Sequence, residues 1–437
     1  MRNIKRLTNN KLATIAILLP IILLGLLILL NAVNVVFWDE WELTPIFQHI
    51  HSGHIYWEDF WRQHNEHRLL FPTVALTLLA QLTHWNVIVE CLVNFVVAIA
   101  SFWLLLCIFK TTVKTSKKPL LLMLLLSLVW FSPVQVENWL WGWQLEWFLN
   151  ILGVMLMAFG LSRVKNSKLS YKILLVVLAG GILAQFSLAN GTLVWPIILA
   201  ALVYKKLPIK QIVAVAATGL ITTVLYFVHY ITPAGAPSKG LALKEPITYA
   251  KYVLLYLGRP LTFLHRPAML AGLLLLIIFV CLSLYLFIRE KAKFSLGIPW
   301  IFMGVYAIAS ALVTGLARLG FGVDEGGTSR YTTISLLLLV STIILCWQNQ
   351  SVIKKAIPGQ SYKFIKGGVV IVVFVCVLSN AYWGIHAFNT QHKLLTYIKV
   401  CTHQANPSDQ CLLAAYPNAD LARTRLNYLK SIHWAGY

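Results

Sequence analysis

The sequence predicts an all-α polytopic membrane protein with about eleven transmembrane helices, and three features carry that reading. First, 59% of the 437 residues are hydrophobic and only 12% are charged, too apolar for one soluble core. Second, apolar runs recur at close to the roughly 20 residues that cross a bilayer as a helix. Third, the basic residues alternate with those runs as the two sides of a membrane require.

Spans are expected near 12–33, 87–109, 119–136, 146–162, 173–187, 190–204, 211–231, 267–288, 296–316, 331–347 and 367–385. The first run, Ala13 to Val33, follows basic residues and exceeds the roughly 7–15 residues of a signal-peptide core. No A-x-A site follows it, so it reads as an uncleaved anchor. Leu69–Thr83 is apolar too, but counting it as a span would break the alternation. Glu66, Thr73, Thr77, Gln81 and His84 mark one polar stripe along it, which fits a juxtamembrane helix in the interface plane. Residues 1–385 thus form one integral membrane domain, with a long first outer loop at 34–84. Residues 386–437 form an extracytoplasmic tail.

The net charge of +21 does not point to nucleic acid. Six short stretches, from Met1–Lys11 to Lys354–Lys366, hold 22 of the 36 Lys and Arg, and by the positive-inside rule these are cytoplasmic. Of the 15 acids only Glu290 lies in such a stretch. Acids contribute little to topology, so their gathering on the outer side calls for a chemical cause. No C-x-x-C or H-E-x-x-H metal pattern occurs. Cys401 and Cys411 share the outer tail, where pairing and two free thiols are both open readings. Asn190-Gly191-Thr192 matches a glycosylation sequon, but its tight turn between two spans makes it a chance match.

Four stretches could carry chemistry. In "VVFWDEWELTP" (Val35–Pro45), a helical Trp38–Leu43 would put Trp38 and Trp41 on one face and Asp39 and Glu42 on its neighbour. The tryptophans would sit at headgroup level. A carboxylate at that low-dielectric edge has a raised proton affinity, which suits a general base; solvated acids beside an aromatic belt are the alternative. In "RQHNEHRLLFP" (Arg62–Pro72), His64, His67 and Arg68 fall at i, i+3 and i+4 of a helix, with Glu66 opposite. Arg68 suits a phosphate and the histidines can relay protons; a hydrogen-bonded helix cap is the plainer reading. In "SPVQVENWLWGWQLEW" (Ser132–Trp147), Glu137 and Trp141 stand one helical turn apart, a carboxylate and an aromatic face that fit a sugar ring, or an aromatic belt. In "ARLGFGVDEGGTSRYTT" (Ala317–Thr333), Arg330 and Tyr331 begin a span, where the arginine could hold a lipid phosphate or simply snorkel.

With these residues placed, the chain resembles polytopic glycosyltransferases of the GT-C type. "WDEW" at Trp38–Trp41 matches the acidic position after that family's first span. "HNEHRLLFPTVALTLLAQLTHWN" has the layout of its second juxtamembrane helix, without the usual H-P-P-L-Y form. "SRYTT" at Ser329–Thr333 is similar to its arginine–tyrosine start of a late span. The size and the absence of a large soluble domain are also similar to bacterial and prophage enzymes that decorate O-antigen with glucose. The resemblance implies a polyprenyl-phosphate-linked sugar donor, a glycan acceptor, and an inverting transfer on the periplasmic face of the bacterial inner membrane. It implies Asp39 as base, Glu40 or Glu42 orienting the acceptor, and Arg330 with Arg68 on the leaving phosphate. Substrate contacts would come from His64, Glu66, His67, Glu137, Trp141 and Tyr331. No cofactor is implied; a divalent metal between Asp39 and Glu137 is conceivable, but no spacing argues for it.

An O-antigen polymerase or ligase relies instead on arginines in late outer loops. A transporter or flippase of lipid-linked glycans needs ionisable groups near the midplane, whereas Glu90, the only acid inside a span, lies close to its outer end and the other acids sit at edges or in loops. The topology is directly testable. A reporter fused after Lys117 should read cytoplasmic and one fused after Cys411 extracytoplasmic; the opposite result for the first would mean that Leu69–Thr83 crosses the membrane.

Overall fold

The computed structural model describes residues 2–113, 119–233, 235–238, 240–356 and 359–437. Met1 and the basic residues Lys114, Lys117, Lys118 and Lys239 lie outside the described residues. Helix α1 (Arg2–Asn31) leads through irregular residues 32–37 into a 3-10 turn at Trp38–Leu43, then α2 (Thr44–His51) and α3 (Trp57–Trp61). A two-residue hairpin follows, β1 (Gln63–His64) antiparallel to β2 (His67–Arg68). The bundle continues with α4 (Leu70–Thr83), α5 (Val87–Thr112), α6 (Pro119–Trp130), α7 (Val136–Leu140) and α8 (Leu145–Ser162). Next come α9 (Tyr171–Gln185), α10 (Val194–Tyr204), α11 (Ile209–Phe227), α12 (Leu241–Lys244) and α13 (Pro246–Gly258). The chain ends with α14 (His265–Arg289), α15 (Lys291–Arg318), α16 (Thr332–Gln348), α17 (Gln350–Ala356), α18 (Gly359–Thr402), α19 (Asp409–Ala415) and α20 (Ala419–Ser431).

Among the described residues, nine helical stretches are long and apolar enough to cross a membrane. The protein is an all-α, multi-pass membrane protein. The runs expected at 173–187 and 190–204 form helices too, but both are shorter than the spanning length, so the expected eleven becomes nine on length and composition.

Three elements differ from the expected pattern, each for a local reason. The run at 119–136 is a broken helix: α6 stops before Ser132-Pro133, and the Val134 N–H is taken by Ser132 Oγ. Proline removes a backbone donor and pushes its predecessor out of the helical region. The last span does not end near 385; α18 runs 44 residues to Thr402, and buried Phe388, Leu395 and Ile398 keep one apolar face going. Helix α4 forms as expected, yet its polar stripe turns inward. Thr73 and Thr77 are buried while Leu78 and Leu82 are exposed, which suits an apolar surrounding on its free side. Its 14 residues rise only about 21 Å, short of a bilayer.

Glycines permit the tightest helix contacts. A Cβ at Gly258 of α13 would overlap the Ala268 carbonyl of α14, and one at Gly272 would overlap the Leu254 carbonyl. Such close approach is how helices associate where lipid cancels the hydrophobic drive. Gly258→Val should therefore lower stability by about 1–3 kcal/mol, read as a fall in the thermal midpoint of the purified protein. An unchanged midpoint would mean that these helices do not pack as described.

Candidate functional site

The loops between spans meet at one end of the bundle. Gln63 bonds to the backbone of Ile231, Glu66 pairs with Arg318, His67 meets Ala189, and Glu137 meets Arg330. Most of the residues singled out in the sequence lie at this end.

The turn carrying Asp39 is fixed from below. Trp38 takes a positive φ of 49°, which turns the chain into the 3-10 segment and buries Glu40 completely. Glu40 Oε2 accepts the Phe37 N–H at 2.8 Å and Oε1 the Trp143 N–H at 3.3 Å. The Trp141 indole N–H donates to the Phe37 carbonyl at 3.1 Å. A Cβ at Gly142 would overlap the Glu90 carboxyl and stand 3.0 Å from Glu40 Oε1, so only glycine fits there. Asn94, one turn beyond Glu90 on α5, donates to the carbonyls of Trp141 and Gly142. Burial pushes the Glu40 carboxyl up to about 8, against backbone N–H groups that favour its charged form. Glu40 is therefore a brace for the turn, not a group open to an acceptor.

Asp39 itself stays about one third exposed. Its Oδ1 lies 3.7 Å from His64 Nε2, and the His64 ring leans on Trp143 with centroids 5.0 Å apart. Trp143 thus ties the pair together, its N–H on Glu40 and its ring under His64. The two tryptophans expected as twin anchors part company: Trp41 is fully buried and Trp38 is 43% exposed.

The second segment is a hairpin, not a helix, which corrects the expected i, i+3, i+4 face. Asn65 turns it with φ 47°, and His64 stands opposite His67. Arg68 is buried and its guanidinium is committed to backbone: Nε donates to Tyr226 O and Nη1 to Trp61 O, both at 2.7 Å, and Nη2 to Val228 O. Two of these carbonyls belong to the C-terminal end of α11, where unpaired carbonyls and the helix dipole attract a cation. The expectation that Arg68 grips a phosphate is corrected accordingly. His67 Nδ1 accepts the Ala189 N–H at 3.2 Å. Burial first, then Arg318 and His64, lower its pKa to about 3.

Across the site lies a second charge group. Glu137 Oε2 accepts from Ser329 Oγ at 2.6 Å and from the Arg330 N–H at 3.0 Å, and Arg330 Nη1 lies 3.6 Å from its Oε1. Arg330 Nη2 also donates to Glu325 Oε1 at 2.5 Å, which accepts Tyr331 OH at 3.1 Å. The expected Glu137–Trp141 platform does not form. Helix α7 ends at Leu140, Trp141 is extended, and its buried ring packs edge-on against Phe37. Glu42 is drawn off as well, to Arg425 and Tyr416 of the tail, so it does not orient an acceptor. Among the described residues no three His, Cys, Asp or Glu side chains cluster as metal ligands, and Glu137 is engaged by Arg330 and Ser329. Asn190 of the sequon is buried on Thr314.

Three participants escaped the sequence reading: Arg318, Glu325 and Glu146. Buried Glu146 heads α8 with Oε2 unbonded, and Asp39, Arg330 and Arg318 are the charges that act on it. Arg318 and Glu325 lie inside the glycine-rich stretch already singled out, and Glu146 within the tryptophan-rich one, so their segments were marked though the residues were not.

No protein-family model matches the chain, and neither do curated proteins or solved structures. An imidazole facing a carboxylate that is one third exposed can orient it to take a proton. Arg318 and Arg330, each about one quarter exposed, retain N–H groups that could meet an anion.

The depressed proton affinity of His67 has a measurable consequence. The unfolded imidazole binds a proton near pH 6.5 and the folded one only near 3. Its contribution to stability is complete above pH 6.5 and is lost as pH falls from there toward 3. The thermal midpoint should drop on acidification through that window, and His67→Gln should flatten the drop. An identical slope in the variant would contradict a neutral, hydrogen-bond-accepting His67.

Proposed function

We propose that the protein is a membrane glycosyltransferase that moves a hexose, glucose in the first instance, from a polyprenyl-phosphate sugar to a cell-surface glycan. The observation that carries this reading is the Asp39–His64 pair at the end of the bundle that also gathers Arg318, paired with Glu66, and Arg330, paired with Glu137. Asp39 takes the proton of the acceptor hydroxyl. The acceptor oxygen bonds to the anomeric carbon as the bond to the lipid phosphate breaks, inverting the configuration. Arg330, joined by Arg318, stabilises the phosphate as it leaves. Glu66, Glu137 and Glu325 hold those guanidinium groups in place.

Two further observations support placing this end on the periplasmic face of the bacterial inner membrane, with the N-terminus cytoplasmic. The basic stretches alternate to the other side. Cys401 and Cys411, on the helix that projects from the last span and the segment after it, form a disulfide, a bond suited to an oxidising compartment.

The decisive variant is Asp39→Asn. It should reduce transfer from a polyprenyl-phosphate hexose at least about 10²-fold, the usual worth of a general base, without lowering the amount of protein in the membrane. Arg330→Ala should lose activity on a similar scale, and Arg68→Lys should reduce stability instead. Full activity in Asp39→Asn would refute the assignment of the base.

A further inference from the structure

The residues after α18 do not trail away; they fold back over the turn that carries Asp39. The Cys401–Cys411 disulfide joins the end of α18 to α19. From α20, Arg425 Nη1 donates to Glu42 Oε1 at 2.9 Å and Nη2 to Oε2 at 3.4 Å, while Tyr416 OH donates to Oε1 at 2.5 Å. Arg62 donates to the Glu42 carbonyl. Further along, Trp434 packs on Phe47 and His51, Tyr428 OH meets His51 Nδ1 at 2.7 Å, and the Ala435 N–H donates to His84 O.

These contacts are more than a surface ion pair. The Arg425 side chain is 10% exposed and that of Glu42 22%. Burial opposes the charge on Glu42, but the bonds from Arg425 and Tyr416 outweigh it and hold the carboxyl below its ordinary range. A bidentate arginine–carboxylate pair fixes orientation as well as distance. Glu42 and Asp39 share one 3-10 segment, so the pair that holds Glu42 also holds the backbone from which the Asp39 carboxyl projects.

We propose that Arg425 is a positioning residue for Asp39, acting through Glu42, and that the disulfide-closed C-terminal cap is a working part of the transferase site. The activity it serves rests on the glycosyltransferase reading; the clamp itself can be tested without it.

The experiment pairs transfer kinetics with hydrogen exchange on the full-length protein in detergent. Arg425→Ala should speed exchange of the 37–43 amides. It should also lower kcat roughly 10–100-fold with the donor KM within about twofold, the signature of a misplaced group. Arg425→Lys, which keeps the charge without the fork, should recover part of both. Should Arg425→Ala fail to accumulate, opening the disulfide of the wild-type protein with a reductant should speed the same exchange. Unchanged exchange at 37–43, or changed exchange with unaltered kcat in a protein that transfers sugar, overturns the proposal. Faster exchange in a protein whose wild type transfers no sugar refutes the transferase reading and upholds the clamp.

Discussion

Glu40 accepts the N–H groups of Phe37 and Trp143 with one buried carboxyl, and much of the candidate site hangs on that bridge. It joins the turn after the first span to the turn before α8, two segments about 100 residues apart in the chain. Gly142 makes the approach possible, because any side chain there would collide with Glu90. Trp143 then presents its ring to His64, which faces Asp39. A buried polar group is costly unless bonded, so losing either N–H would loosen the whole turn.

Several carboxylates at this end hold guanidinium groups. Glu66 serves Arg318, Glu137 and Glu325 serve Arg330, and Glu42 serves Arg425. Asp39 keeps the looser partner, an imidazole at 3.7 Å, and more exposure than these partners. A group that must exchange protons with a substrate needs such freedom, and a group that holds a guanidinium does not.

The membrane architecture was legible because it rests on lengths of apolar run, which bilayer thickness fixes. Glu137, Arg330 and Asp39 were legible as charges in odd places, since acids and arginines at a membrane edge need partners. The hairpin was not. His64, His67 and Arg68 satisfy helical spacing as well as they satisfy two short strands around a turn at Asn65, and local pattern cannot choose between them. Arg68 was misread for a related reason: its partners are carbonyls at the end of α11, about 160 residues away. Glu42 shows the same limit, since Arg425 lies 383 residues on. Long-range pairing of this kind leaves no local trace.

The proposed activity is transfer of a hexose from a lipid carrier to a glycan at the Asp39 end of this bundle. Its most direct test is the mass of surface and lipid-linked glycans from cells with and without the gene. Glycan units should be heavier by one hexose when the protein is present, with that increment lost on inactivating Asp39. Identical glycan masses in the two strains, with the protein present in the membrane and the lipid-linked donor supplied, would contradict it.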